Sequence, residues 1–147
     1  MKWILLLMLA LPAHSFIQWH TDLETAKKEA IAGNRLILLN FSGSDWCGPC
    51  MRLKEEVFNS DSFGAIADSS LVLCNADFPR SKKNQLPKMQ QQRNESMADA
   101  YNPQGKFPFT VLLDTAGKVL RSWDGYPQAN RQLFIDQLKA ACHAYTR

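Results

Sequence analysis

Cys47 and Cys50 stand two residues apart, with Gly48-Pro49 between them, Trp46 before them and the run Met51-Arg52-Leu53-Lys54-Glu55-Glu56 after them. Two thiols at this spacing can exchange electrons as a dithiol–disulfide couple, supply half of a metal site, or staple the fold. A structural zinc site needs four converging ligands. The chain has one C-x-x-C, and its three histidines show no paired spacing. No metal or other cofactor is therefore expected. Small disulfide scaffolds are dense in cysteine, and four cysteines in 147 residues are sparse. The redox couple is the reading that remains.

That chemistry needs a thiolate, because the thiolate is the species that attacks a disulfide. A helix N-terminus stabilises one through its unpaired amides and positive dipole end, and can bring a cysteine from ~8.5 toward ~7 or lower. The sequence provides such a place. "RLILLNF" (35–41) is a short apolar run suited to a strand buried on both faces. Beyond Pro49 the pattern turns helical, with Leu53 and Val57 four apart. Cys47 then sits where the strand gives way to the helix. Cys50 follows one turn later, close enough to attack a mixed disulfide. Pro49 fits the first helical turn, where a missing N–H removes no bond, and Trp46 offers a flat apolar surface beside the pair.

Other elements frame this unit. "HTDLETAKKEAIAGN" (20–34) reads as a helix with Thr21 and Glu24 at capping-box spacing, an apolar stripe of Leu23, Ala26, Ala30 and Ile31, and a left-handed stop at Gly33-Asn34. "SFGAIADS" (62–69) suggests a short helical turn, "SLVLCNADF" (70–78) a second strand, and "ESMADAYN" (95–102) a helix after a polar stretch from Pro79 to Asn94. "PFTVLLD" and "KVLRSWD" flank "TAG" as an antiparallel hairpin, with Gly117 at the positive-φ position. "NRQLFIDQLKAACHAY" (130–145) closes as an amphipathic helix with Leu133, Phe134, Leu138 and Ala141 on its apolar face. Strands separated by helices require parallel crossovers, and the hairpin adds antiparallel strands. An α/β domain follows, with a central mixed sheet and helices on both faces.

The first fifteen residues, "MKWILLLMLALPAHS", read as a signal peptide: Lys2, then an apolar run from Trp3 to Leu11, then small residues at Ala13 and Ser15. The run is far short of the ~20 residues that span a bilayer, and no cysteine near the cut suggests a lipid anchor. The expected domain is residues 16–147, periplasmic or otherwise secreted. A net charge of +3, from 17 basic and 14 acidic residues, favours no class of partner.

"WCGPC" is the active-site signature of the thioredoxin family, and the order of elements resembles the thioredoxin fold over nearly the whole chain after residue 15. "FSGSDWCGPC" (41–50) is similar to exported thioredoxin-like domains, such as the C-terminal domain of the membrane thiol:disulfide interchange protein. The resemblance implies that Cys47 attacks and Cys50 resolves. It implies a cis-proline at Pro108, in "KFPFT", and substrate contact at Trp46, Gly48, Pro49, Phe107 and Pro108. It further implies an extracytoplasmic thiol–disulfide oxidoreductase acting on protein or peptide disulfides, fed by a membrane electron donor, and a monomer. The Gly-Pro dipeptide resembles reducing thioredoxins, near −270 mV, more than strong oxidants near −120 mV. An isomerase or oxidase, or a binding module without redox function, are the alternatives.

Three departures from the family stand out. Asn40 occupies the place of a buried Asp that helps deprotonate the second cysteine, with one residue inserted before the tryptophan. Leu73 aligns with the lysine that usually partners that Asp. Phe109 follows the proline where Thr is common. Asp45, Glu55 and Glu56 are the remaining local acids.

The polar insertion before the cis-proline strand carries Arg80, Lys82, Lys83, Lys88 and Arg93 and no acid. It reads first as a solvated basic stretch and second as a docking surface for an acidic partner near the active site. No nucleic acid is expected, because no aromatics are interleaved with the charges. Cys74 and Cys142 read as buried free thiols, with a bridge between them as the lesser option. Asn94-Glu95-Ser96 has the spacing of a glycosylation sequon.

Overall fold

The structure is a computed structural model that describes residues 17–145. The expected leader and its cleavage position lie outside the described residues. The elements are β1 (Trp19–His20), α1 (Leu23–Gly33), β2 (Leu36–Ser42), α2 (Gly48–Leu53), α3 (Asp61–Ser70), β3 (Leu71–Asp77), α4 (Lys88–Tyr101), β4 (Phe109–Leu113), β5 (Val119–Asp124) and α5 (Arg131–Tyr145).

The sheet order is β1-β3-β2-β4-β5. β2 runs parallel to β3, with Asn40 opposite Asn75, and antiparallel to β4, with Phe41 opposite Phe109. The strand "LILLNFS" is apolar almost throughout because it lies at the centre of the sheet with helices over both faces. Successive side chains alternate between the faces. Leu36 and Leu38 pack with Phe63 and Ile66 of α3 and Phe134 and Leu138 of α5. Ile37, Leu39 and Phe41 pack with Leu23, Ala26 and Ala30 of α1 and Met97 of α4. Cys142 belongs to the first layer and Cys74 to the second, so the sheet separates these two buried cysteines, neither of which is in a disulfide. The alternative of a bridge between them is ruled out. No helix among the described residues is long and apolar enough to cross a membrane.

Several local expectations change. The short strand β1 was not anticipated; it pairs with β3 through Trp19 and His20. α1 is capped by Asp22 rather than Thr21: the Asp22 carboxylate accepts the Thr25 amide at 3.2 Å and the Thr25 hydroxyl at 2.7 Å. Asn34 takes the left-handed stop at φ 49°. Ile31 and Leu133, read as core from helical spacing, are 64 % and 49 % exposed; each sits at the margin of its stripe.

"SFGAIADS" belongs to a full helix, α3, capped by the Ser60 hydroxyl on the Phe63 amide. α4 starts at Lys88, seven residues earlier than the sequence suggested. Its first turns bury almost nothing, so no apolar stripe announced them. The hairpin forms as expected, with Gly117 at φ 86°. Asn94 is 2 % exposed and its amide donates to the Asp77 carbonyl at 2.7 Å. The sequon is thus sequestered in the fold.

Candidate active site

β2 ends at Ser42, and a tight turn carries the chain to the cysteines. The amides of Trp46 and Cys47 both donate to the Gly43 carbonyl, at 3.2 and 2.9 Å. Gly43 is required here for want of room: a Cβ on it would collide with the Trp46 indole.

Cys47 is extended (φ −94°, ψ 96°) and is the N-cap of α2. Its Sγ accepts the Cys50 amide at 3.2 Å. Cys47 and Cys50 are joined as a disulfide, with Cα atoms 5.2 Å apart. In this state the sulfur-bearing residues are 4 % and 5 % exposed, while Gly48 and Pro49 between them are exposed.

The helix continues from Lys54 to Phe58 as a wide π turn, closed by the Asn59 amide on the Lys54 carbonyl at 2.9 Å. Five-residue spacing is what lets the neighbours Val57 and Phe58, together with Leu53, all point into the core. A regular helix was expected here, and the Leu53/Val57 spacing alone does not distinguish the two.

Phe107-Pro108 is a cis peptide. Because β4 runs antiparallel to β2, the residues before Phe109 lie at the end of β2 that leads into the cysteines. Pro108 is buried and its carbonyl accepts the Gly125 amide at 2.9 Å. Phe107 meets the Trp46 ring edge-on at 5.4 Å between centroids and the Phe78 ring at 5.5 Å. The indole N–H of Trp46 donates to the Phe78 carbonyl at 2.7 Å. An apolar wall of three rings therefore adjoins the disulfide.

On its other side Cys50 lines a cavity of ≈ 570 Å³ that also reaches Asn40, Asn75, Asp77, Lys54 and Glu55. Asn40 is 5 % exposed. Its amide N–H donates to Asn75 at 2.9 Å, and its carbonyl accepts the Thr110 hydroxyl at 3.1 Å. Asn75 donates onward to the Ser42 hydroxyl at 3.1 Å. Leu73, buried at 3 %, lies on the same face as Asn75. A neutral amide ladder at Asn40 and an apolar Leu73 thus stand at the two positions where the resemblance implies a charged pair. Among the described residues no buried side-chain nitrogen or oxygen lacks a partner, which is the condition for holding such a ladder under a sheet.

The local acids have other duties. Asp45 accepts the amides of Arg80 and Ser81, each at 2.9 Å, and the Asn84 side chain at 3.0 Å. The Arg80 amide foremost, then Asn84, hold its carboxyl below the usual carboxylate range. Glu56 accepts from Tyr126, Arg52 and Arg131, and its carboxyl is likewise held low, chiefly by the Tyr126 hydroxyl. Of the three acids named from the sequence, Glu55 alone lines the cavity beside Cys50. Asp77, which the sequence did not single out, lines it too, accepting the Ser44 amide at 2.8 Å and hydroxyl at 2.5 Å.

Trp46, Gly48, Pro49, Phe107 and Pro108 are gathered with the cysteines at one end of the sheet. Gly43 and Phe78 were missed. Phe78 had a signal: it follows a strand parallel to β2, so it must emerge at the same carboxyl edge as the cysteines. Arg80 was read only as part of the basic stretch, and its guanidinium lies 3.7 Å from the Trp46 ring centre.

The sequence profile of the thioredoxin-like family matches residues 18–115. The chain is 30% identical over 125 residues to "Disulfide bond reductase DsbH" of Chlamydia pneumoniae, covering 85% of this chain and 72% of that protein. A solved structure titled "DsbH Oxidoreductase" superposes with a TM-score of 0.77 at 28% identity, covering 93% and 92% of the two chains. The oxidised C-terminal domain of Neisseria meningitidis DsbD, at 15% identity, shares the fold with a TM-score of 0.57 over 84% and 99% of the chains. The family profile and the Chlamydia relative show it plainly, and the Cys47–Cys50 disulfide at the head of a helix supplies the chemistry: the chain belongs to the thioredoxin-like family, and its activity is thiol–disulfide oxidoreduction.

Proposed function

We propose that this protein is a reductase of protein disulfides that works outside the cytoplasm, through the Cys47/Cys50 dithiol. The observation that carries the reading is the sulfur of Cys47 capping the helix that holds Cys50. In the reduced protein the Cys47 thiolate attacks a substrate disulfide. A mixed disulfide forms, and one substrate thiolate leaves. Cys50 loses its proton and attacks the Cys47 sulfur, which expels the second substrate thiolate. The protein is left as the Cys47–Cys50 disulfide, the substrate has gained two electrons, and a dithiol donor must restore the pair.

Trp46, Phe107 and Pro108 form one side of the substrate groove, and the exposed Gly48 and Pro49 form its lip. Asn40 cannot accept a proton, so the proton on Cys50 leaves through the cavity that Cys50 lines. The reducing direction is supported by the Gly-Pro dipeptide and by the reductase named in the Chlamydia relative. Export is supported by the composition of residues 1–15, and a membrane dithiol donor is the partner that an exported reductase requires.

Reduction of insulin by dithiothreitol is the test, together with the potential in glutathione buffers. Turnover that depends on Cys47 and a potential below about −180 mV are expected. A higher potential reassigns the protein as an oxidase or isomerase, and turnover unaffected by Cys47→Ser removes the mechanism.

A further inference from the structure

Residues 78–94 hold Arg80, Lys82, Lys83, Lys88 and Arg93 and no acidic residue. A merely solvated basic loop would have little to fix it, yet the first part of this one is fastened to the residues just before Cys47. Asp45 binds the amides of Arg80 and Ser81, Trp46 binds the Phe78 carbonyl, and the Arg80 guanidinium stacks on the Trp46 ring. The apolar wall beside the disulfide therefore has a cationic rim.

Arg80, Lys82 and Lys83 are exposed, and none of the three enters an ion pair among the described residues. The carboxylates packed nearby, Asp45 and Asp77, are aimed at backbone amides and serine hydroxyls rather than at these cations. Stacking uses the face of the Arg80 guanidinium. It leaves the in-plane N–H groups free, and these match a carboxylate in bidentate fashion. The rings of Trp46, Phe78 and Phe107 meet edge-on, leaving no stacked platform for bases.

We propose that the Phe78–Lys83 segment is a specificity element that selects protein disulfides in which Asp or Glu flanks the cysteine attacked by Cys47. The substrate lies as an extended segment against Trp46 and Phe107, with its acidic side chains on Arg80, Lys82 and Lys83. This rests on the oxidoreductase reading above.

The test uses two peptides that share an apolar sequence and one disulfide, with Glu or Lys on both sides of the reactive cysteine. Hydroxyethyl disulfide serves as an uncharged control. With the reduced protein at low salt, kcat/KM for the acidic peptide is expected to exceed that for the basic one about tenfold, and the gap to close at about 0.5 M salt. The Lys82→Glu/Lys83→Glu variant is expected to reverse the preference and leave hydroxyethyl disulfide turnover unchanged. Arg80→Gln is expected to slow the acidic peptide selectively.

Equal rates for the two peptides, or a preference that survives the charge reversal, overturn the proposal. Failure to reduce hydroxyethyl disulfide would instead sink the oxidoreductase reading. In that event calorimetry with serine-for-cysteine peptides decides docking: tighter binding of the acidic peptide upholds it, and equal affinity overturns it.

Discussion

The Sγ of Cys47 accepts the amide of Cys50 at 3.2 Å, so the sulfur proposed to attack is held by the backbone of the residue proposed to resolve its product. An amide aimed at sulfur, with the positive end of a helix behind it, favours the anion. In the reduced protein Cys47 is therefore expected to be alkylated faster than any other cysteine. Cys47→Ser should abolish insulin reduction. Cys50→Ala should leave substrates bound to Cys47 as mixed disulfides, which mass spectrometry of non-reduced samples would detect. A Cys50→Ala protein that releases its substrates would contradict the assigned order of attack.

Burial pushes the Cys74 thiol up from the ordinary 9.0 to about 12, and Cys142 to about 11. Both should resist iodoacetamide at pH 8 in the folded protein and react only after unfolding. The sign of the linked stability effect follows. Above pH 9 the unfolded chain ionises these thiols while the folded chain keeps them protonated, so unfolding gains free energy as pH rises. Denaturation midpoints should fall progressively between about pH 9 and 12 and change little from this source below pH 9. Cys74→Ala/Cys142→Ala should flatten that alkaline loss.

Gly43→Ala forces a methyl group into the Trp46 indole. The ring must move, and with it the contacts to Phe78, Phe107 and Arg80. Overpacking of this kind costs about 1–3 kcal/mol. Urea denaturation should register that loss, and kcat/KM on a protein disulfide should fall more than kcat/KM on hydroxyethyl disulfide. Equal losses on both substrates would mean that the indole does not contact protein substrates.

Asp45→Ala removes the acceptor for the amides of Arg80 and Ser81. Hydrogen exchange at those two amides should accelerate at least about tenfold, while the core of β2 stays protected. In the parent protein the Asp45 carboxyl is held below its ordinary 3.8. Its contribution is thus complete above that pH and disappears as pH falls through the lowered value. The two amides should lose protection in that acid range, before the core does.

Asn40→Asp places a carboxylate, 5 % exposed at the parent residue, in a ladder whose Asn75 carbonyl faces it. One donor is lost and a charge is buried, a cost of about 1–3 kcal/mol at neutral pH. Protonation relieves it, so the variant should regain stability as pH falls toward 4. Chemical denaturation at pH 8 and pH 5 would measure the difference. A variant equally stable at both would mean that the cavity beside Cys50 solvates the new charge.

Much of this molecule was readable along the chain. The apolar run 35–41, Pro49 in the first turn of a helix and the turn at Gly117 each follow from local rules, and each is where those rules put it. The weak points were elements with little apolar signal. β1 has two residues, and the start of α4 carries only the exposed Met89 among polar residues. At Leu53–Phe58 the π turn differs from an α-helix by one residue of register, which burial of both Val57 and Phe58 decides.

By itself the sequence determined the redox pair, its place at a strand-to-helix junction and the proline before β4, because these depend on residue type and short spacing. Tertiary structure alone decided what surrounds them. Parallel pairing of β2 with β3 brings Phe78 and Arg80, more than 30 positions along the chain from Trp46, onto its indole. The same pairing sets Asn75 opposite Asn40 and turns two isolated amides into one satisfied network. Contacts of that range are fixed by strand register, and register is set by burial of whole faces rather than by any local run of residues.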